Sequence, residues 1–126
     1  MEPNLAARLA RRLIAPMLLV AASLVSVNSA AYAGQRSDCP SGYFCVWTQT
    51  NYDGTRYQYN NVNNYNLIGA DPIGSAYNNR SKRTYLNENS GSSSTYSCFG
   101  PGNYDAVLSG WQVHANSAYL SSYTNC

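Results

Sequence analysis

Apolar and polar positions alternate along this chain only in short bursts, separated by clusters of Gly, Pro, Asn and Ser. After residue 33 no apolar set recurs at a helical period over a useful length. The bursts predict strands at Tyr43 to Trp47, at Thr55 to Tyr59 with Tyr57 and Tyr59 on one face, and at Arg83 to Asn87. Thr95 to Phe99, Ala106 to Leu108, Trp111 to His114 and Ala118 to Tyr123 read the same way. Asp38 to Gly42 is a turn, Asn60 to Asn66 an asparagine-rich loop, and Leu67 to Ser75 an irregular connection in which Pro72 argues against a central strand. Asn89-Ser90-Gly91-Ser92-Ser93-Ser94 reads as a linker and Gly100-Pro101-Gly102 as a turn. The expected class is all-β.

One stretch is written twice. Val46-Trp47-Thr48-Gln49-Thr50-Asn51-Tyr52-Asp53-Gly54 has a worn copy at Phe99-Gly100-Pro101-Gly102-Asn103-Tyr104-Asp105-Ala106. An aromatic residue at a strand end, a polar tight loop, a tyrosine and a Gly able to take positive φ describe a hairpin folded back over its own ring. Tyr52 would cover Trp47, and Tyr104 would cover Phe99. Ala106 stands where Gly54 stands, at roughly 1–2 kcal/mol if that position is left-handed. Short strands in two copies predict two Greek-key units packed as a sandwich, at about 38–88 and 95–126.

Residues 1–33 read as a cleaved secretory signal: Arg8, Arg11 and Arg12, an apolar run from Leu13 to Val27 broken by Pro16, then Ala31-Tyr32-Ala33. The expected product is a single domain, 34–126, secreted, extracellular and free of the membrane once the signal is removed. That domain carries five basic and five acidic residues, so it has no electrostatic footprint for nucleic acid. About 93 residues bury a modest core, and covalent help is expected. Cys39, Cys45, Cys98 and Cys126 make an even count in an exported chain and allow three pairings. Cys39 with Cys45 and Cys98 with Cys126 gives each copy its own bridge, stabilising by about 2 and about 3.5 kcal/mol on the loop-entropy model. The cysteine spacings are not those of zinc knuckles.

Little is left for catalysis. His114 is the only histidine and has no nucleophile motif beside it; Glu88 is the only glutamate after residue 33. Asp53 and Asp105 read as turn caps rather than an acid and base pair. The protein is therefore read as a non-enzyme without cofactors, and a monomer is expected.

Trp47, Tyr52 and Gly54 resemble the hairpin signature of the beta/gamma-crystallin Greek key. With Cys39-Pro40-Ser41-Gly42-Tyr43-Phe44-Cys45, the chain from Cys39 to Cys126 resembles the small secreted bacterial metalloproteinase inhibitors of the streptomycete thermolysin-inhibitor type. The resemblance implies a disulfide-stapled crystallin-like sandwich that inhibits secreted zinc metalloproteases. It places the substrate-like bond after the third cysteine, at Cys98-Phe99, with Phe99 filling the enzyme's apolar pocket. Phe99 also has a structural reading, as the packed corner aromatic of its repeat. Some crystallin relatives hold calcium, and the matching stretch here is Tyr77-Asn78-Asn79-Arg80-Ser81-Lys82-Arg83. Asn78 and Asn79 fit, but Lys82 and Arg83 replace the hydroxyl ligands, so the loop is degenerate and no metal is expected. The competing function is a secreted crystallin-like binding module, or a killer-toxin-like protein, whose tyrosines face cell-wall polysaccharide.

Overall fold

Alternation along β1 (Tyr43–Trp47) sends Phe44 and Val46 into the core and Tyr43, Cys45 and Trp47 to the other face. In the computed structural model, which describes residues 34–126, that strand begins a sheet of four, in the order β2-β1-β4-β7. Its partners are β2 (Arg56–Tyr59), β4 (Ser75–Asn79) and β7 (Tyr104–Asp105). The second sheet runs β3-β8-β5-β6 and is built from β3 (Tyr65–Leu67), β5 (Thr84–Asn87), β6 (Tyr96–Phe99) and β8 (Ser117–Leu120). Every pairing is antiparallel. Phe44, Val46, Ile73, Leu86, Phe99 and Leu120 are buried between the sheets. The expected signal, 1–33, lies outside the described residues. Among these, no helix is long and apolar enough to cross a membrane.

Both bridges of the favoured pairing form, Cys39–Cys45 and Cys98–Cys126, with Cα atoms 5.9 and 5.7 Å apart. The strands at 43–47, 83–87 and 95–99 are where alternation put them, give or take a residue. Several elements differ. The asparagine-rich loop ends in strand β3, and Ser75–Asn79 is a central strand whose tyrosine and asparagine content hid it. Ala106 to Leu108 is not a strand, because the Asp105 carboxylate accepts the Val107 amide in an Asx turn that ends β7. Trp111 to His114 belongs to a 3-10 turn, Gly110–His114. Ser109-x-x-Gln112 closes its start, with the Ser109 amide donating to Gln112 Oε1.

The duplication is present in another frame. Phe44 faces Tyr59 across the β1–β2 hairpin as Thr84 faces Phe99 across the β5–β6 hairpin. Tyr65 of β3 crosses to Tyr119 of β8, as Tyr104 of β7 crosses to Tyr77 of β4. Trp47 therefore corresponds to Asn87, and Phe99 to Tyr59. Phe99 ends the second strand of its hairpin, whereas Trp47 ends the first strand of its own. Ala106 accordingly has no turn like that of Gly54 and no positive φ. Asn89 to Ser94 is not an inter-unit linker but part of the hairpin loop joining β5 to β6.

Candidate functional site

The first hairpin takes the expected shape. Tyr52 lies edge-on over Trp47 at 5.2 Å, Asn51, Tyr52 and Gly54 have φ of 55, 64 and 78°, and Trp47 is buried. Ser75 Oγ ties the loop down, donating to the Gln49 carbonyl at 2.8 Å and accepting the Tyr52 amide at 3.0 Å. Removing the Tyr52 phenol from water raises its pKa. Asp53 accepts the Gly34 amide at 2.8 Å, drawing the segment before β1 onto this face. The motif is thus engaged in packing and turn geometry, and the Tyr52 hydroxyl is buried without a hydrogen-bond partner among the described residues.

At the end of β6 the geometry is different. This strand is the free edge of its sheet, so one side of its backbone has no strand partner. Alternation turns Ser97 and Phe99 inward and Tyr96 and Cys98 outward. Phe99 is only 6% exposed and packs edge-on against Phe44 with centroids 5.6 Å apart. Its ring therefore does not project as a pocket-filling anchor, and the packed reading of Phe99 describes its place. Tyr104 does not cover it; 56% exposed, Tyr104 lies under the Arg36 guanidinium at 3.9 Å.

The turn that follows, Gly100-Pro101-Gly102-Asn103, is gripped by Asn78, which the sequence places only in the degenerate calcium loop. Asn78, fully buried in β4, exchanges backbone bonds with it: the Asn78 amide donates to the Asn103 carbonyl, and the Gly102 amide to the Asn78 carbonyl, both at 2.9 Å. The Asn78 side-chain amide donates to the carbonyls of Phe99 at 2.8 Å and Gly100 at 2.9 Å. It also reaches the Lys82 carbonyl at 2.8 Å, and its Oδ1 accepts the Thr84 hydroxyl at 3.2 Å. On the other side Cys98 is bolted to Cys126. The segment from Cys98 to Asn103 is consequently held by a covalent bond before it and a buried amide behind it. No sequence signal marked Asn78 as this clamp, because the asparagines around it looked like loop.

That use of Asn78 also corrects its reading as a loop residue. Asn79 donates to the Cys39 carbonyl and accepts the Tyr77 hydroxyl. Both amides are spent within the protein, and among the described residues no group of three His, Cys, Asp or Glu side chains is placed to hold a metal. Nearby, Arg80 is buried, has no acidic partner among the described residues, and is held by the Arg83 and Ser121 carbonyls and the Thr84 hydroxyl. Burial lowers its pKa. His114 lies on the surface, 2.6 Å from Asp71.

A shallow groove runs between the β6 and β7 edges, lined by Ser97, Cys98, Phe99, Asn103, Tyr104, Asp105 and Gln112. Gln112 spans it by donating to the Ser97 hydroxyl at 2.8 Å. Its one carboxylate, Asp105, accepts the Val107 amide, and its one hydroxyl, Ser97, accepts the Gln112 amide, so both polar groups are engaged within the protein and the groove offers a surface for contact. Compared with family models, residues 32–99 match the one described as peptidase inhibitor family I36, a match that ends at Phe99 and spans just over half of the chain. Comparison with curated proteins and with solved structures finds no match.

Proposed function

Because the chain belongs to peptidase inhibitor family I36, and is an inhibitor rather than an enzyme, we propose that its target is a secreted zinc metalloendopeptidase of the thermolysin-like kind. The segment we assign to the contact is Cys98-Phe99 with the turn to Asn103 behind it. The observation that carries this reading is the double grip on that segment, by the Cys98–Cys126 bridge and by the Asn78 amide. A preset loop loses little conformational freedom on binding, which favours a long-lived complex.

Proteases take their substrates as extended strands, and a free sheet edge offers backbone groups in that form. The enzyme's zinc polarises the carbonyl presented to it. Here the Phe99 ring stays on Phe44, so the cleft meets backbone, together with the exposed Tyr104 side chain on the same groove. If the Cys98-Phe99 bond is cut, the bridge still joins the two pieces, since Cys98 and Cys126 lie on opposite sides of the break. The buried ring and the Asn78 amide hold the new amino-terminal end in place. Resealing then competes with release.

The scaffold belongs to the same reading: two crystallin-like Greek keys, redrawn from the pairing as 43–79 and 84–120, exchanging β3 and β7 between sheets. Export through a cleaved 1–33 signal and action as a monomer belong to the same reading, and the two bridges support an oxidising compartment outside the cell.

The test is titration of the secreted protein against a thermolysin-like zinc endopeptidase and, in parallel, a serine and a cysteine endopeptidase. The expected result is stoichiometric inhibition of the zinc enzyme alone, with any slow nick mapping to Cys98-Phe99 and its fragments parting only after reduction. Inhibition confined to the other classes overturns the choice of target. A nick elsewhere overturns the site.

A further inference from the structure

The outward faces of the two sheets carry matching rows of residues, and among the described residues only one of them is covered. On the first sheet, Cys45, Tyr77 and Tyr104 stand side by side on adjacent strands. The segment from Gly34 to Cys39 lies over them, with Arg36 stacked on Tyr104 at 3.9 Å and on Tyr77 at 5.3 Å. The corresponding row on the second sheet is Tyr85, Tyr119 and Tyr65, again in register on adjacent strands. Tyr96 joins it from β6, its ring edge-on to Tyr85 at 5.2 Å, while Tyr65 and Tyr119 lie 4.8 Å apart with their planes tilted by 46°.

These four rings wall a cleft of about 410 Å³ that is completed by the Asn87 amide and by Ser92 and Ser93 of the β5–β6 loop. The volume falls in the ~300–1,000 Å³ range of small-ligand sites. No carboxylate, ammonium or guanidinium lines it. At its margin Arg83 stacks on Tyr85 at 4.9 Å, which repels a cation such as the one that covers the first sheet. Asn87 donates to the Tyr85 carbonyl and Ser93 accepts the Thr95 amide, but a purely apolar partner would leave the phenols and the Ser92 hydroxyl unpaired. A ligand that suits this lining is uncharged and has apolar C–H faces bordered by hydroxyl groups, which is the chemistry of a pyranose ring.

We infer that the Tyr65–Tyr119–Tyr85–Tyr96 cleft on the second sheet binds neutral saccharide, one or two pyranose units of a glycan chain. Rings set at different tilts form pockets for individual sugars rather than a flat platform for a crystalline surface. The site lies on the outward sheet face, apart from the Gly100–Asn103 turn, and its function does not depend on protease inhibition.

Retention of the secreted protein on chitin and on amorphous cellulose, with titration by soluble β-1,4-linked N-acetylglucosamine and glucose oligosaccharides, tests this directly. The probe variant is Tyr65→Ala with Tyr96→Ala; the two side chains are 39% and 54% exposed, so the fold tolerates their loss. Tyr104→Ala, the counterpart of Tyr65 on the covered sheet, is the control. The expected result is binding of one of the two sugar series, weakened at least about tenfold in the double variant, unchanged in the control, and compatible with continued inhibition of the protease. Three outcomes overturn the assignment: no binding to either series, an equal loss in Tyr104→Ala, or a concentration-dependent dimer that disappears in the double variant.

Discussion

The turn after β2 and the turn after β6 are fastened by the same pair of backbone bonds. Asn63 donates to the Leu120 carbonyl and Leu120 to that of Asn64, as Gly102 donates to Asn78 and Asn78 to Asn103. Asn63 and Gly102 even share the left-handed φ, 55 and 72°. The residue at the centre of each pair differs. Leu120 fills the core, whereas Asn78 extends its amide to the carbonyls of Phe99, Gly100 and Lys82. The second turn also has a disulfide at its entrance, and the first has none. The backbone bonds are shared, and the unequal side chains make the second turn the more firmly held of the two.

The two hairpin loops differ in the opposite sense. Ser75 and Ser117 each donate from the start of a last strand into the loop above, to Gln49 at 2.8 Å and to Asn89 at 2.6 Å. Over the first lies the Trp47–Tyr52 pair; over the second, Asn87 takes the place of Trp47. Where the aromatic lid and the 34–39 segment lie, the sheet face is closed. Where neither lies among the described residues, a tyrosine-lined cleft is open.

This contrast breaks most readily at Trp47. Trp47→Ala is expected to destabilise by about 3–5 kcal/mol, and Asn87→Ala at the matching position by about 1 kcal/mol, read from denaturant midpoints. Comparable losses would mean that the second loop hides an equivalent anchor. Removing the bridges should rank them: about 3.5 kcal/mol for Cys98→Ala with Cys126→Ala and about 2 kcal/mol for Cys39→Ala with Cys45→Ala, with inhibition weakened only by the former. Asn78→Leu, which copies Leu120, is expected to cost about 3 kcal/mol and to raise hydrogen exchange at Gly100–Asn103. Unchanged exchange there would remove the clamp. Gly54→Ala should cost about 1–2 kcal/mol, because φ is positive and a Cβ would sit 2.2 Å from Thr48 Oγ1. Gly91→Ala, with open space around it, should be neutral within about 0.5 kcal/mol.

Much of the frame was legible in the residues. Alternation located β1, β2, β5 and β6, and cysteine counting with the idea of one bridge per unit led to the bonds that form. The strand β4 escaped because Asn78 and Asn79 look like loop residues, and their strand placement depends on partners far away in sequence. Spacing alone puts the repeat one strand out of frame, since Phe99-Gly-Pro-Gly-Asn-Tyr mimics Trp47-Thr-Gln-Thr-Asn-Tyr without sharing its place in the hairpin. A better guide was present: Ser75-Ala76-Tyr77 and Ser117-Ala118-Tyr119 open the two last strands identically. Period two also bears on the candidate site, because a Cys98 bridged on the outer face sends Phe99 inward.

The most direct test of the claim that the second turn, and not its twin, meets the protease compares inhibition constants of Pro101→Arg and Asn61→Arg against a thermolysin-like zinc endopeptidase. Both positions are exposed and occupy corresponding turns. The account predicts a loss of at least about tenfold for Pro101→Arg and none for Asn61→Arg, both proteins remaining folded. Equal constants for the two variants, or a loss confined to Asn61→Arg, would contradict it.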